Sequence, residues 1–184
     1  MKTIEEHLIE TASELFYKQG YSLTGINEVI KEANIAKATL YNYYKSKDEL
    51  CVEFLRYMNE RFLGDLEIFV YNHKRGKKQV LAFFDFLKEF TESEDFHGDW
   101  CVNTNAQILP DNSLIIQEIQ QQKSNLFTLI KLVISENLID PSEEDVVALT
   151  QKVYLLFEGA MTESWLVRSS WPVDTARDIC EQIL

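Results

Sequence analysis

The chain has 184 residues, 46% of them apolar and 26% charged, with a formal net charge of −12. That length supports one or two compact domains with a real core, and the acidity argues against broad, non-specific nucleic-acid binding. No apolar run nears the roughly 18 residues of a membrane helix, MKTIEEHLIE has no signal-peptide h-region, and Cys51, Cys101 and Cys180 are odd in number and far apart, as expected of reduced thiols in a cytoplasm.

Residues 4–19 place Ile4, Leu8, Ala12, Leu15 and Phe16 at helical spacing, and Gly20 follows as a stop. Thr24 is suited to cap a second helix, Ile26 to Ala33, with Ile26, Val29, Ile30 and Ala33 inward. Asn34 then interrupts; asparagine tolerates the left-handed backbone of a tight turn. A short third helix, Lys37 to Tyr44, comes next. Ser46 and Glu49 have the spacing of a capping box. They open a fourth helix whose Leu50, Phe54, Met58, Phe62 and Leu66 form an i, i+4 ladder until YNHKRGKK at 71–78.

The fifth helix carries Val80, Phe83, Phe84, Leu87 and Phe90 on one side. A sixth is expected from Trp100 to Leu109, ended by Pro110, and a seventh from Ser113 to about Asn137 with Ile116, Ile119, Leu126, Ile130 and Val133 inward. DPSEED starts the eighth, which runs to about Ser170. Pro172 opens a ninth with Val173, Ala176, Ile179, Cys180 and Ile183. The reading is all-α, about nine helices, with a first domain over 1–47 and a second over 48–184.

Charge is unevenly placed along this pattern. Residues 1–47 hold six lysines and six glutamates, whereas 48–184 hold 12 basic and 24 acidic groups. Nothing acidic stands between Ala33 and Lys47; Lys37, Lys45 and Lys47 alternate there with Tyr41, Tyr43 and Tyr44. Two helices across a tight turn, braced by a preceding helix, make a helix-turn-helix whose second helix enters the DNA major groove. A carboxylate there would repel phosphate. Lysines neutralise it, and tyrosine hydroxyls donate to its oxygens.

GYSLTGINEVIKEANIAKATLYNYYKSKDEL resembles the DNA-binding signature of the tetracycline-repressor (TetR) family. Gly20-Tyr21, Thr24, Ile26, Val29, Ala33, the Lys-x-Thr-Leu-Tyr run at 37–41, Tyr44 and Ser46-Lys47 carry the likeness, over about residues 4–50. The resemblance implies that Lys37, Ala38, Thr39 and Asn42 face the groove, with Asn42 the best base reader by chemistry. It implies phosphate contacts for Tyr41 and Lys47, and amides of Thr24 and Gly25 close to the DNA backbone. Leu40 and Tyr44 would point inward. Two positions depart from the family pattern: Ala36 replaces the usual Ser or Thr cap, and Asn34 the turn glycine.

The resemblance further implies a homodimer on a palindromic operator and a regulatory domain that binds a small-molecule effector and releases the operator, acting as a repressor. In that picture the effector favours a conformer in which the fourth helix has swung and the two reading helices lose their spacing. Helix eight supports the dimer from its own residues. Val146, Leu149, Val153, Phe157 and Ala160 lie on one side and Val147, Tyr154, Met161 and Trp165 on another, and Gly159-Ala160 allow close approach. The expected contact runs through the eighth and ninth helices. Phe62, Phe83, Phe86, Trp100, Phe127 and Tyr154 are the aromatic pool for an effector site, with Asn103 and Glu158 as polar anchors and Asn105 as a further one. HGDWCVNTNAQI (97–108) faintly resembles a Gly-Cys-x-x-x-Asn element found in part of the family.

No cofactor or metal is implied. Asp95, His97, Asp99 and Cys101 alternate, a set of ligand types that can bind zinc, but they lie in a loop whose geometry the sequence does not give. The basic cluster His73 to Lys78 reads as a solvated turn. Two other functions stay open at this point: a helical scaffold that no longer binds DNA, and a helical enzyme using Cys101 and His97.

Overall fold

A computed structural model describes residues 2–184. The described residues form nine helices and no strand: α1 (Ile4–Gln19), α2 (Ile26–Glu32), α3 (Lys37–Tyr43), α4 (Lys47–Tyr71), α5 (Lys77–Thr91), α6 (Trp100–Asn105), α7 (Ser113–Asn137), α8 (Glu143–Val167) and α9 (Trp171–Ile183). The fold is all-α, as the periodicity requires. None of these helices is long and apolar enough to cross a membrane.

Side chains fix several helix ends. At α1 the Glu6 amide donates to Thr3 Oγ1 at 3.1 Å and the Thr3 amide to the Glu6 carboxylate at 2.7 Å, a reciprocal cap. Ser142 and Asp145 repeat the arrangement at α8. At α4 the Glu49 amide donates to Ser46 Oγ at 3.1 Å, but the Glu49 carboxylate takes the Lys45 amide at 2.7 Å, one residue earlier than in a reciprocal box. α8 ends where Arg168 turns left-handed at φ 55°.

The chain divides into two compact units. One is the chain up to Arg61 together with Trp100–Gln122; the other is Phe62–Asp99 with Lys123–Leu184. The core of the first gathers Leu8, Ala12, Phe16, Val29, Leu40, Leu50 and Phe54, all buried, with the Phe16 and Phe54 rings 5.5 Å apart. In the second, α5, α8 and α9 pack together. There Phe62 meets Phe86 edge-on at 5.5 Å, and Phe83 meets Phe157 edge-on at 6.5 Å.

Four local expectations change. Ile4, assigned inward by its spacing, is exposed, because it begins α1 one turn before the buried Leu8. Thr24 does not cap α2: Gly25 is the N-cap, and no side chain bonds there. α6 stops at Asn105 rather than Leu109, and the Gln107 amide closes a tighter turn onto the Thr104 carbonyl at 2.9 Å. On α9, Ile179 and Ile183 are exposed, while Val173, Ala176 and Cys180 form the buried stripe.

Candidate nucleic-acid interface

The turn between α2 and α3 follows from one residue. Asn34 is left-handed at φ 52°. That lets the Asn34 amide reach the Lys31 carbonyl at 3.1 Å and the Ile35 amide reach the Ile30 carbonyl at 3.2 Å, so both orphan carbonyls at the end of α2 are satisfied. The chain then re-enters a helix at Ala36, which offers no side-chain cap. Leu40 and Tyr44 are buried beneath α3, and the Tyr44 hydroxyl reaches Glu5 at 3.4 Å. Burial, followed by Glu5, holds the Tyr44 phenol well above its ordinary range.

With Leu40 and Tyr44 inward, helical geometry turns the remaining side chains out. Lys37, Ala38, Tyr41 and Asn42 are exposed, and Thr39 is partly so. Lys37 Nζ lies 5.8 Å from the Tyr41 ring centroid. Tyr43 and Lys45 extend the exposed polar surface. Lys47 sits over the Tyr21 ring, 4.2 Å from its centroid. Gly25 is exposed at the start of α2, whereas Thr24 is fully buried. The Thr24 hydroxyl donates to the Gly20 carbonyl at 2.9 Å and its amide to the same carbonyl at 3.2 Å, so Thr24 holds the loop from beneath.

The residues expected at an effector site fall in both units. Trp100 and Asn103 belong to the first; Trp100 Nε1 donates to Gln122 Oε1 at 3.1 Å. Phe62, Phe83, Phe86, Phe127, Tyr154 and Glu158 belong to the second. Phe83 is fully buried against Phe157. Phe127 and Tyr154 meet edge-on at 5.6 Å on α7 and α8. One helical turn away on the same two helices, Lys123 Nζ stands 2.5 Å from Glu158 and 2.5 Å from Asp99. Glu158 Oε1 is buried with no hydrogen-bond partner, and burial pushes this carboxyl above its ordinary range despite Lys123.

Lys123 was missed from sequence, and Asp99 was noted only in the alternation with Asp95, His97 and Cys101. The available signal was Gln122 and Lys123 standing where the inward stripe of α7, between Ile119 and Leu126, calls for apolar residues. His97 Nδ1 is 3.1 Å from the Phe96 carbonyl, and Cys101 Sγ donates to Gln122 Oε1 at 3.2 Å. Among the described residues no three His, Cys, Asp or Glu side chains are grouped to hold a metal.

Residues 8–54 match the family profile described as bacterial regulatory proteins, tetR family. Over these residues, about a quarter of its length, the chain is similar to tetR-family regulators. YuxN of Bacillus subtilis, an uncharacterized HTH-type transcriptional regulator, is 39% identical over 61 residues, covering 33% of this chain and 21% of that one. YxaF of the same organism, also an uncharacterized HTH-type regulator, is 42% identical over 53 residues, 28% of each chain. The matches therefore span about a fifth and a quarter of these two relatives. IcaR of Staphylococcus aureus, an HTH-type negative transcriptional regulator of a biofilm operon, is 25% identical over 173 residues, covering 91% of this chain and 85% of IcaR.

The same fold recurs in solved structures. A TetR-family transcriptional regulator from Streptomyces coelicolor superposes with a TM-score of 0.87 at 20% identity, over 98% of this chain and 87% of the other. Reduced NemR of Escherichia coli superposes at 0.84 and 19% identity, over 98% and 97%. The tetR-family profile covers most of α1, all of α2 and α3, and the first two turns of α4, the elements that carry every residue of the candidate interface.

Proposed function

We propose that this chain is a tetR-family transcriptional regulator, ligand-responsive and DNA-binding, acting as a repressor that an effector releases from its operator. The observation that carries the reading is the two-faced α3. Leu40 and Tyr44 anchor it, while Lys37, Ala38, Tyr41 and Asn42 stand in solvent with no carboxylate between Ala33 and Lys47. Asn42 is assigned to a base edge, and Lys37, Ala38 and Thr39 line the groove beside it. Tyr41 and Lys47 are assigned to phosphate, with the exposed start of α2 at Gly25 and the Thr24-held loop behind it. IcaR, a negative regulator matched over most of both chains, supports the repressor sense.

Two copies would read a palindromic operator through successive major grooves, about 34–36 Å apart. The α8 and α9 helices are proposed as their contact. Leu155 and Leu166 are each 68% exposed in the single chain, and Val167, Trp171, Ile179 and Ile183 are exposed on the same two helices. Apolar surface of that extent on neighbouring helices calls for a partner. The effector is assigned to the second unit, near Phe127, Tyr154 and the Lys123–Glu158 pair, with Phe62 and Phe86 as neighbouring aromatics. It needs only to bind the DNA-incompetent conformer better than the competent one.

The test is fluorescence anisotropy on operators selected from random duplexes, across a salt series. Tight dimeric binding with a steep salt slope is expected, weakened evenly by Tyr41→Phe and with relaxed sequence preference in Asn42→Ala. No selected duplex at about 50 mM salt, where phosphate contacts are strongest, would overturn the reading in favour of a helical scaffold.

A further inference from the structure

The first unit contains more than the helix-turn-helix. Trp100–Gln122, which lies outside the 8–54 family match, packs with it. Its most specific attachment is Gln107. The Ser22 amide donates to Gln107 Oε1 at 2.9 Å, and Ser22 Oγ donates to the Gln107 carbonyl at 2.9 Å, so both polar ends of one residue grip the α1–α2 loop. The loop is shaped to receive them. Gly20 sits at φ 93°, and a Cβ there would fall 2.7 Å from Gln107 Oε1 and 2.8 Å from Nε2. Glycine is needed for the backbone angle and again for the approach of this amide.

The same segment is tied at its far end. Asn112 Nδ2 donates to Asp48 Oδ2 at 2.9 Å, and the other oxygen of Asp48 accepts from the Tyr21 hydroxyl. Residues 106–112 thus form a strap between α6 and α7, bonded directly to Ser22 of the loop that carries Thr24 and Gly25 and, through Asp48 of α4, to the neighbouring Tyr21. Gln122 and Glu118 continue the attachment, with Gln122 Nε2 on Glu118 at 2.9 Å and Glu118 accepting from Arg56 of α4 at 3.0 Å.

We propose that the 106–112 strap is a working part of the DNA-binding unit, and that Gln107 is the positioning residue that sets the α1–α2 loop for its phosphate contacts. The inference rests on the DNA-binding reading above. Thr24 holds the loop from the α1 side through Gly20, and Gln107 holds it from the α6 side through Ser22. Removing either hold frees the start of α2, whose exposed Gly25 is the approach to phosphate.

Gln107→Met keeps the length and removes the acceptor; Gln107→Glu keeps the acceptor. Ser22→Ala removes the second bond. Each is compared with wild type by thermal melting, by amide exchange without DNA and by anisotropy on the selected operator. In Gln107→Met the Ser22 amide is expected to lose protection and operator affinity to fall about tenfold, the worth of one net hydrogen bond. Melting should stay within a few degrees of wild type. Gln107→Glu should restore Ser22 protection, and Ser22→Ala should weaken operator binding in the same direction.

Unchanged Ser22 protection in Gln107→Met, or protection lost with operator affinity unchanged or improved, would overturn the proposal. Should wild type itself select no duplex, the DNA-binding reading fails and the positioning role falls with it. Exchange would still show in that case whether Gln107 fixes the loop.

Discussion

Lys47 Nζ stands 4.2 Å from the centroid of the Tyr21 ring, and the Tyr21 hydroxyl in turn donates to Asp48, the next residue after that lysine. The first turn of α4 is a poor place for a cation, since the helix dipole presents its positive end there. The aromatic face offsets that, and Asp48 and Glu49 complement the dipole directly. Burial lowers the Lys47 pKa from its ordinary value, with Cys51 and Asp48 opposing the shift. The lysine is held at the edge of the α3 surface by the ring beneath it. Lys47→Met, which keeps the apolar stem over Tyr21, is expected to weaken operator binding evenly across sequences. The slope of log affinity against log salt should fall by about one. A salt titration of both proteins on one duplex measures this. An unchanged slope would remove Lys47 from the phosphate contacts.

The turn before α3 makes opposite predictions at Asn34 and Ala36, on either side of Ile35. Asn34 occupies the left-handed C′ position of α2, at φ 52°. Asn34→Gly should leave stability within about 0.5 kcal/mol of wild type, while Asn34→Ala should lose about 1 kcal/mol, because glycine has no Cβ to strain and asparagine tolerates the left-handed region better than alanine. Ala36 starts α3 without a cap, so Ala36→Ser should gain about 1 kcal/mol. Urea unfolding of the three variants checks the signs. A stabilising Asn34→Ala would mean that the turn is not held in this conformation in solution.

Much of this architecture was legible from sequence because it is local. Apolar spacing, together with cap and turn residues, located the nine helices of the described residues, and Asn34, Ser46 and Gly20 marked ends by the backbone angles and hydrogen bonds those residues supply. The inward pair Leu40 and Tyr44 came from the family resemblance, and both are buried. What escaped depends on partners distant in sequence. Gln107 grips a loop 85 residues earlier, and Lys123 joins Asp99 and Glu158 from 24 and 35 residues away. Nothing in the period of α6 or α7 names those partners. Thr24 misled for a related reason. A threonine before a helix usually caps it, but here the Gly20 turn offers the hydroxyl a carbonyl, and Gly25 takes the cap position.

The three cysteines provide a test of core integrity. Cys51, Cys101 and Cys180 are all buried thiols outside any disulfide. Burial, with Asp48 adding to it, pushes the Cys51 thiol up to about 12; burial pushes Cys180 to about 12 as well, against the pull of Arg177. Thiolate is the reactive form. At pH 8 a thiol-specific reagent is therefore expected to leave Cys51 and Cys180 unmodified in the native protein, and to modify all three cysteines once denaturant is added. Mass spectrometry of the alkylated chain counts them. Rapid native labelling of Cys51 would show that the helix-turn-helix core opens far more readily than its packing implies.

Glu158 gives stability a pH dependence of definite sign. Its carboxyl lies above its ordinary range, first because it is buried, with Asp99 adding to the rise and Lys123 opposing it. The native protein therefore holds a proton that the unfolded chain has already released, at pH values above the ordinary glutamate range of about 4.3. Stability from this group is fully present below that range and falls as pH rises through the native value. Glu158→Gln keeps the shape and removes the titration. Its stability relative to wild type should rise from about pH 4 upward and then level off, while Lys123 keeps its bond to Asp99. Urea midpoints of the two proteins between about pH 4 and pH 8 measure the difference. A relative stability that falls with pH would mean that the Lys123 pair outweighs burial, and that Glu158 is held as a carboxylate at the proposed effector site.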